Sequence, residues 1–215
     1  MERKIIEQIE KYKIITIVRG VAKEKLIHLA EAMYEGGIRL VECTYDMKGN
    51  VSDEETASYI KMLSSHFGDK MVVGAGTVLT EKQVELTREA GGKFIISPDT
   101  NVNIIKKTKQ QGLVSIPGAL TPSEIAMADR AGADFVKVFP VNLLGGPSYI
   151  KTISAPLSNV RLLAVNGVSA GNMTEYLEAG ACGVGIGSGV VNKAKIDAGD
   201  FKAITELAKL YTCNL

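Results

Sequence analysis

The sequence predicts an α/β chain folded as one (β/α)8 (TIM) barrel over residues 1–215, preceded by an extra helix near Glu2–Lys11. Three observations carry that expectation. Short β-branched runs recur along the chain, eight in 215 residues, or about 27 residues per unit. Each is followed by a stretch with helical spacing of apolar residues, commonly closed by glycine. The runs are nearly continuous in apolar residues, as parallel strands buried on both faces require.

The runs are Ile14–Ile17, Leu40–Cys43, Met71–Val73, Phe94–Ile96, Leu113–Ile116, Phe135–Val138, Arg161–Ala164 and Val184–Ile186. Between them, Leu26, Leu29, Ala30 and Met33 share one helical face, as do Ala57, Ile60, Leu63 and Phe67. Thr121-Pro122-Ser123-Glu124 reads as a capping box with proline at the first helical position, and Thr80-Glu81-Lys82-Gln83 as a second. Gly36-Gly37, Gly91-Gly92, Gly112, Gly132 and Gly180 stand where helices end. An open doubly wound sheet is the competing architecture. It lacks its mark here: neither Gly74-Ala75-Gly76-Thr77 nor Gly185-Ile186-Gly187-Ser188-Gly189 has the G-x-G-x-x-G spacing.

Composition narrows the function. Twenty-five basic and 24 acidic side chains leave a net charge of +1, which gives no reason to expect nucleic acid or an anionic membrane as partner. The three cysteines, Cys43, Cys182 and Cys213, imply neither a disulfide framework nor a metal knuckle, so no metal site is predicted. His28 and His66 read as lone surface histidines. The charged N-terminal stretch has no apolar signal core, and no apolar run is long enough to span a bilayer, so a cytoplasmic protein is expected.

In such barrels chemistry gathers at the C-terminal ends of the strands. There Lys137 is flanked by Phe135, Val136, Val138 and Phe139, and alternation puts Phe135, Lys137 and Phe139 on one face. Desolvation lowers the pKa of such an amine, leaving a neutral fraction that a carbonyl can trap as a Schiff base. The plainer alternative is a snorkelling lysine with a structural partner. Glu42 and Thr44 share a face of the second strand, pointing to the same interior, and Thr44 is expected to be a substrate contact there. A carboxyl there is either half of a buried ion pair or a proton shuttle for the amine. Asn166-Gly167 and Gly187-Ser188-Gly189 can turn backbone N–H groups toward an anion, or can be tight turns only. Arg19 offers a bidentate contact to a carboxylate or phosphate at the same mouth, unless it is simply exposed.

Together these residues resemble the 2-keto-3-deoxy-6-phosphogluconate (KDPG) and 4-hydroxy-2-oxoglutarate (KHG) aldolases, class I enzymes that work through a Schiff base. The likeness runs from Ile17-Val18-Arg19-Gly20 to Gly185-Ile186-Gly187. Its most specific strings are Gly74-Ala75-Gly76-Thr77-Val78-Leu79, Ile96-Ser97-Pro98, Ile116-Pro117-Gly118 and Val136-Lys137-Val138-Phe139-Pro140. The resemblance implies Lys137 as Schiff-base lysine and Glu42 as acid/base. Arg19 and Thr77 match substrate contacts, Pro98 and Phe139 pocket walls, and Gly167 with Gly187–Gly189 the phosphate site. It also implies a homotrimer, no metal, no organic cofactor, and reversible cleavage of a 2-keto-4-hydroxy acid to pyruvate and an aldehyde. Two other readings keep the barrel: a phosphosugar isomerase or epimerase, and a non-catalytic binder of a small acid. Neither calls for a lysine boxed in by phenylalanines beside a carboxyl.

Three positions depart from the family. Asp46 stands where many members carry arginine, Asp99 where a small or neutral residue is usual, and Ala164-Val165-Asn166-Gly167 where Pro-Thr-Gly-Gly is common. The two acids are expected to make the mouth more negative, and together with the changed turn at Val165-Asn166 to weaken action on a phosphorylated substrate.

Overall fold

A computed structural model describes residues 2–213 and 215. Among them nine parallel strands form one sheet: β1 (Ile14–Val18), β2 (Leu40–Thr44), β3 (Val72–Gly76), β4 (Phe94–Ile96), β5 (Val114–Ile116), β6 (Gly118–Ala119), β7 (Val136–Val138), β8 (Leu162–Val165) and β9 (Gly183–Ile186). Their order is β5-β4-β3-β2-β1-β9-β8-β7-β6. The two ends of that order, β5 and β6, are separated in the chain only by Pro117, so the sheet returns on itself as a barrel. The expected fifth strand is thus two short pieces. Pro117 has no N–H to give to a ladder. Its carbonyl still accepts from the Lys137 N–H at 2.8 Å, which helps hold β7 in register.

Strand alternation sorts the apolar residues into two cores. Ile15, Leu40, Val72, Phe94, Val114, Phe135 and Leu163 fill the barrel interior. The alternate positions, such as Val41, Val73, Ile95 and Val136, pack outward against the helical layer. Helix α1 (Glu2–Tyr12) closes the N-terminal end of the barrel with Ile5 and Ile9. Glu2–Lys109 (3.0 Å) and Glu10–Arg161 (2.6 Å) fasten it there. With that end covered, the interior opens toward the C-terminal ends of the strands.

The punctuation read from the sequence is present. Helices α4 (Glu81–Glu89) and α6 (Pro122–Arg130) each begin with a complete capping box, on Thr80 and Thr121. Gly132, with φ 97°, ends α6 in the left-handed conformation that glycine adopts without a Cβ penalty. The histidines are not isolated as expected. His28 Nδ1 lies 3.6 Å and His66 Nε2 3.1 Å from the carboxylate of Glu31.

Candidate active site

Lys137 projects inward from the middle of β7 and is 8% exposed, while Glu42 on β2 is 2% exposed. The two strands face each other across the interior, and both side chains reach the floor of the same hollow. Burial pushes the Glu42 carboxyl above its ordinary range, against the pull of Lys137 and Arg19. Burial likewise lowers the Lys137 amine; Glu42 opposes that shift and Arg19 adds to it. Both displacements are toward the uncharged forms. Each group feels the charge of the other through space. Phe139 stands over the amine, its ring centroid 4.6 Å from Nζ.

Glycine gives Glu42 its place. A Cβ on Gly76 would stand 2.2 Å from Glu42 Oε1, and one on Gly74 would stand 2.4 Å from the Phe94 ring. The Gly74-Ala75-Gly76 string therefore clears the barrel interior for one aromatic ring and one carboxyl.

Above this floor lies a cavity of about 590 Å³. Lys137, Glu42, Arg19, Thr77, Pro98 and Phe139 line one part of it, and Asn166, Gly167, Gly187, Ser188 and Gly189 the other. The Arg19 guanidinium donates to Thr77 Oγ1 at 3.0 Å and to Thr44 Oγ1 at 3.4 Å. Thr77 has φ 58°, a costly backbone for a β-branched residue, held at the strand end beside the cation. Thr44 is the exception among the expected contacts. It lines a neighbouring hollow of about 410 Å³ on the far side of Arg19, and it steadies the guanidinium instead of facing the lysine.

The opposite part of the cavity has no charged side chain. Among the described residues, the N–H groups of Gly167, Val168, Ser188 and Gly189 have no acceptor within the chain. They are therefore available to an anion. Asn166, with φ 79°, donates its side-chain amide to Asn142 Oδ1 at 2.6 Å. Asn142 in turn fills the space a Cβ on Gly167 would need, at 2.4 Å.

The two acids at the mouth sit apart from the cavity that holds Lys137 and Glu42. The Asp46 carboxylate accepts from the backbone N–H groups of Lys48 (2.9 Å), Asn50 (2.8 Å) and Val51 (3.2 Å). Those bonds hold it below the ordinary carboxylate range, and it borders the outer hollow rather than the catalytic cavity. Asp99 is exposed and is absent from the cavity wall. Neither acid lines the cavity that holds Lys137 and Glu42, so neither carboxylate is placed for close-range repulsion of a substrate there.

Sequence reasoning missed Ile17, Val168, Gly185 and Val191 in the wall, and treated Val165 only as a departure. Ile17 was within reach: β1 and β2 pair Ile17 with Glu42, so inward alternation places them side by side. Among the described residues, no group of three His, Cys, Asp or Glu side chains is arranged to hold a metal ion, and no helix is long and apolar enough to cross a membrane.

Comparison with known proteins gives this geometry a family. A 2-dehydro-3-deoxy-phosphogluconate aldolase of Treponema pallidum is 33% identical over 208 residues, covering 95% of this chain and 94% of its own. A probable 2-dehydro-3-deoxy-6-phosphogalactonate aldolase of Rhizobium meliloti is 35% identical, covering 91% and 90%. The solved KDPG aldolase of Legionella pneumophila, with pyruvate captured as a covalent carbinolamine, superposes with a TM-score of 0.84 at 28% identity over 97% of both chains. The family model for KDPG and KHG aldolase matches residues 5–207, and the chain belongs to that family of carbon–carbon lyases.

Proposed function

We propose that the protein is a class I aldolase that reversibly cleaves a 2-keto-4-hydroxy acid of the KDPG type to pyruvate and an aldehyde. The observation that carries this reading is the buried pair, an amine and a carboxyl both displaced toward their uncharged forms on opposite sides of one floor. The neutral Lys137 amine attacks the C2 carbonyl of the substrate, and Glu42 supplies the proton with which the carbinolamine loses water. The resulting iminium is the electron sink. Glu42, now a carboxylate, takes the C4 hydroxyl proton, the C3–C4 bond breaks, and its electrons form an enamine as the aldehyde leaves. Glu42 returns the proton to C3, and hydrolysis frees pyruvate and the amine.

Arg19 and Thr77 hold the carboxylate of the keto acid, Pro98 and Phe139 wall the reacting carbons, and the turns of Asn166-Gly167 and Gly187-Ser188-Gly189 receive the distal end. Four free N–H groups there fit a phosphate. The chain works as one barrel domain, as a cytoplasmic homotrimer by family resemblance, with a small keto acid as partner; the even charge balance supports the absence of nucleic acid or membrane from that set.

Incubation with pyruvate and borohydride, followed by mass measurement and peptide mapping, tests the reading. One reduced adduct on Lys137 is expected. An adduct on another lysine, or none, sinks it.

A further inference from the structure

The strand ladder between β8 and β9 ends at the pair Val165–Gly185. Past it the chain makes two turns, 166–172 and 187–192, and residues of both line the cavity. Each turn is stiff by itself. In the first, Ser169 N–H donates to Asn172 Oδ1 at 2.8 Å, and Asn172 Nδ2 donates to the Gly167 carbonyl at 3.0 Å. In the second, Val190 and Val191 both donate to the Gly187 carbonyl, at 3.1 and 2.9 Å. Among the described residues, no backbone hydrogen bond joins one turn to the other.

What spans them comes from the last helix, α10 (Phe201–Thr212). Tyr211 is 4% exposed, and its phenol oxygen lies against Gly189, only 2.0 Å from where a Cβ at that position would stand. The same oxygen receives the backbone N–H of Ala170 in the first turn. One buried hydroxyl thus touches both turns from beneath. Gly189 is glycine because the phenol occupies its side-chain space.

We propose that Tyr211 is a positioning residue of the distal subsite: its hydroxyl sets the spacing between two turns whose N–H groups together grip the anionic end of the substrate. This rests on the reading of those turns as the distal subsite. The chemistry follows from geometry. Four N–H donors on two separate turns converge on one anion only if the turns keep their distance, and the phenol of Tyr211 lies against both turns. Tyr211 touches neither Lys137 nor Glu42, so its effect falls on capture of the distal anion and not on the covalent steps.

The test is Tyr211→Phe, which keeps the ring and removes the hydroxyl. Loss of one neutral hydrogen bond at this joint is expected to raise KM for 2-keto-3-deoxy-6-phosphogluconate about 3- to 10-fold. Competitive inhibition by inorganic phosphate weakens by a similar factor. kcat, KM for the unphosphorylated 2-keto-3-deoxygluconate, and borohydride trapping of pyruvate stay within about twofold. Tyr211→Leu, which also lacks the hydroxyl, is read on the same split between the two substrates and decides the matter where Tyr211→Phe does not fold. Equal changes on both substrates, or a fall in kcat alone, reduce Tyr211 to a structural residue and overturn the proposal. An unchanged KM for the phosphorylated substrate, in a parent that inorganic phosphate inhibits, overturns the role of Tyr211 alone. A parent that neither feels inorganic phosphate nor favours the phosphorylated substrate overturns the distal-subsite reading, and the proposal with it.

Discussion

The carboxyl of Glu42 occupies the space in which a side chain at Gly76 would sit, 2.2 Å from an ideal Cβ there. The same strand and face carry Gly74, whose Cβ would meet the Phe94 ring at 2.4 Å. One glycine borders a flexible acid that opens on the cavity. The other borders an aromatic ring with no exposure at all.

This contrast predicts opposite outcomes for one substitution. Gly76→Ala displaces the end of a flexible side chain, so the protein folds but Glu42 no longer reaches the reacting carbons. Turnover is expected to fall about 10²-fold or more, within the range for removing a general acid/base, while pyruvate is still trapped on Lys137. Gly74→Ala overpacks the core, and a loss of about 1–3 kcal/mol in stability is expected. Denaturant unfolding and steady-state turnover on both variants check it. A stable, fully active Gly76→Ala variant would show that Glu42 works from another position.

The pH dependence follows from the same pair. The free enzyme must hold Lys137 as the amine and Glu42 as the acid, so kcat/KM is expected to rise through the lowered pKa of one and fall through the raised pKa of the other. Stability moves with the same signs. Between the folded-state pKa of Lys137 and 10.5, the unfolded chain binds the extra proton, so stability from this group rises with pH. Between 4.5 and the folded-state pKa of Glu42, the folded chain binds it, so stability from that group falls as pH rises. Glu42→Gln removes the second contribution. Its stability relative to the parent should improve as pH climbs above 4.5, while its turnover drops roughly 10²–10⁴-fold. Chemical denaturation across the pH range reads the sign directly; a flat difference would mean that Glu42 titrates alike in both states.

Asp46 is expected to matter for loop order rather than for charge at the mouth. Its carboxylate gathers three backbone N–H groups of its own loop. Asp46→Arg abolishes that cap, so it should speed proteolysis between residues 46 and 52 several-fold. It should leave borohydride trapping of pyruvate no more efficient than in the parent. A clear gain in pyruvate capture would instead restore the view that this acid repels the substrate.

How far the site could be read in advance varied with the reach of the interactions. Lys137 and Glu42 were visible because strand alternation is local: a charged residue on the inward face of an apolar run announces itself. The helix caps were visible for the same reason. The break between β5 and β6 had its signal in Pro117, which cannot donate to a ladder. The direction of the Asp46 carboxylate was misread because charge was assigned by position in the chain. The following Gly49-Asn50 marked a tight turn that an aspartate can cap. Thr44 pairs with Arg19 across two strands, and Tyr211 reaches Gly189 from a different element. Those contacts depend on tertiary packing, which no periodicity encodes.

The last prediction concerns Arg19. Its guanidinium spans Thr77 and Thr44 with two different nitrogens, Nη2 and Nε. That fork holds the cation at the boundary between the catalytic cavity and the outer hollow, and leaves further N–H donors for a carboxylate. Arg19→Lys keeps the charge but offers a single ammonium, which cannot brace both threonines and also form a planar bidentate contact. The pyruvate concentration that half-saturates borohydride trapping is expected to rise about tenfold, as for loss of one charge-assisted hydrogen bond. The saturating rate of trapping should change little, because Lys137 and Glu42 are untouched. A Thr44→Val variant should give a smaller shift in the same direction, since it loosens Arg19 without removing it. If Arg19→Lys leaves half-saturation where it was, the keto-acid carboxylate is held elsewhere, and the pairing of Arg19 with Thr77 serves only to stabilise the strand ends.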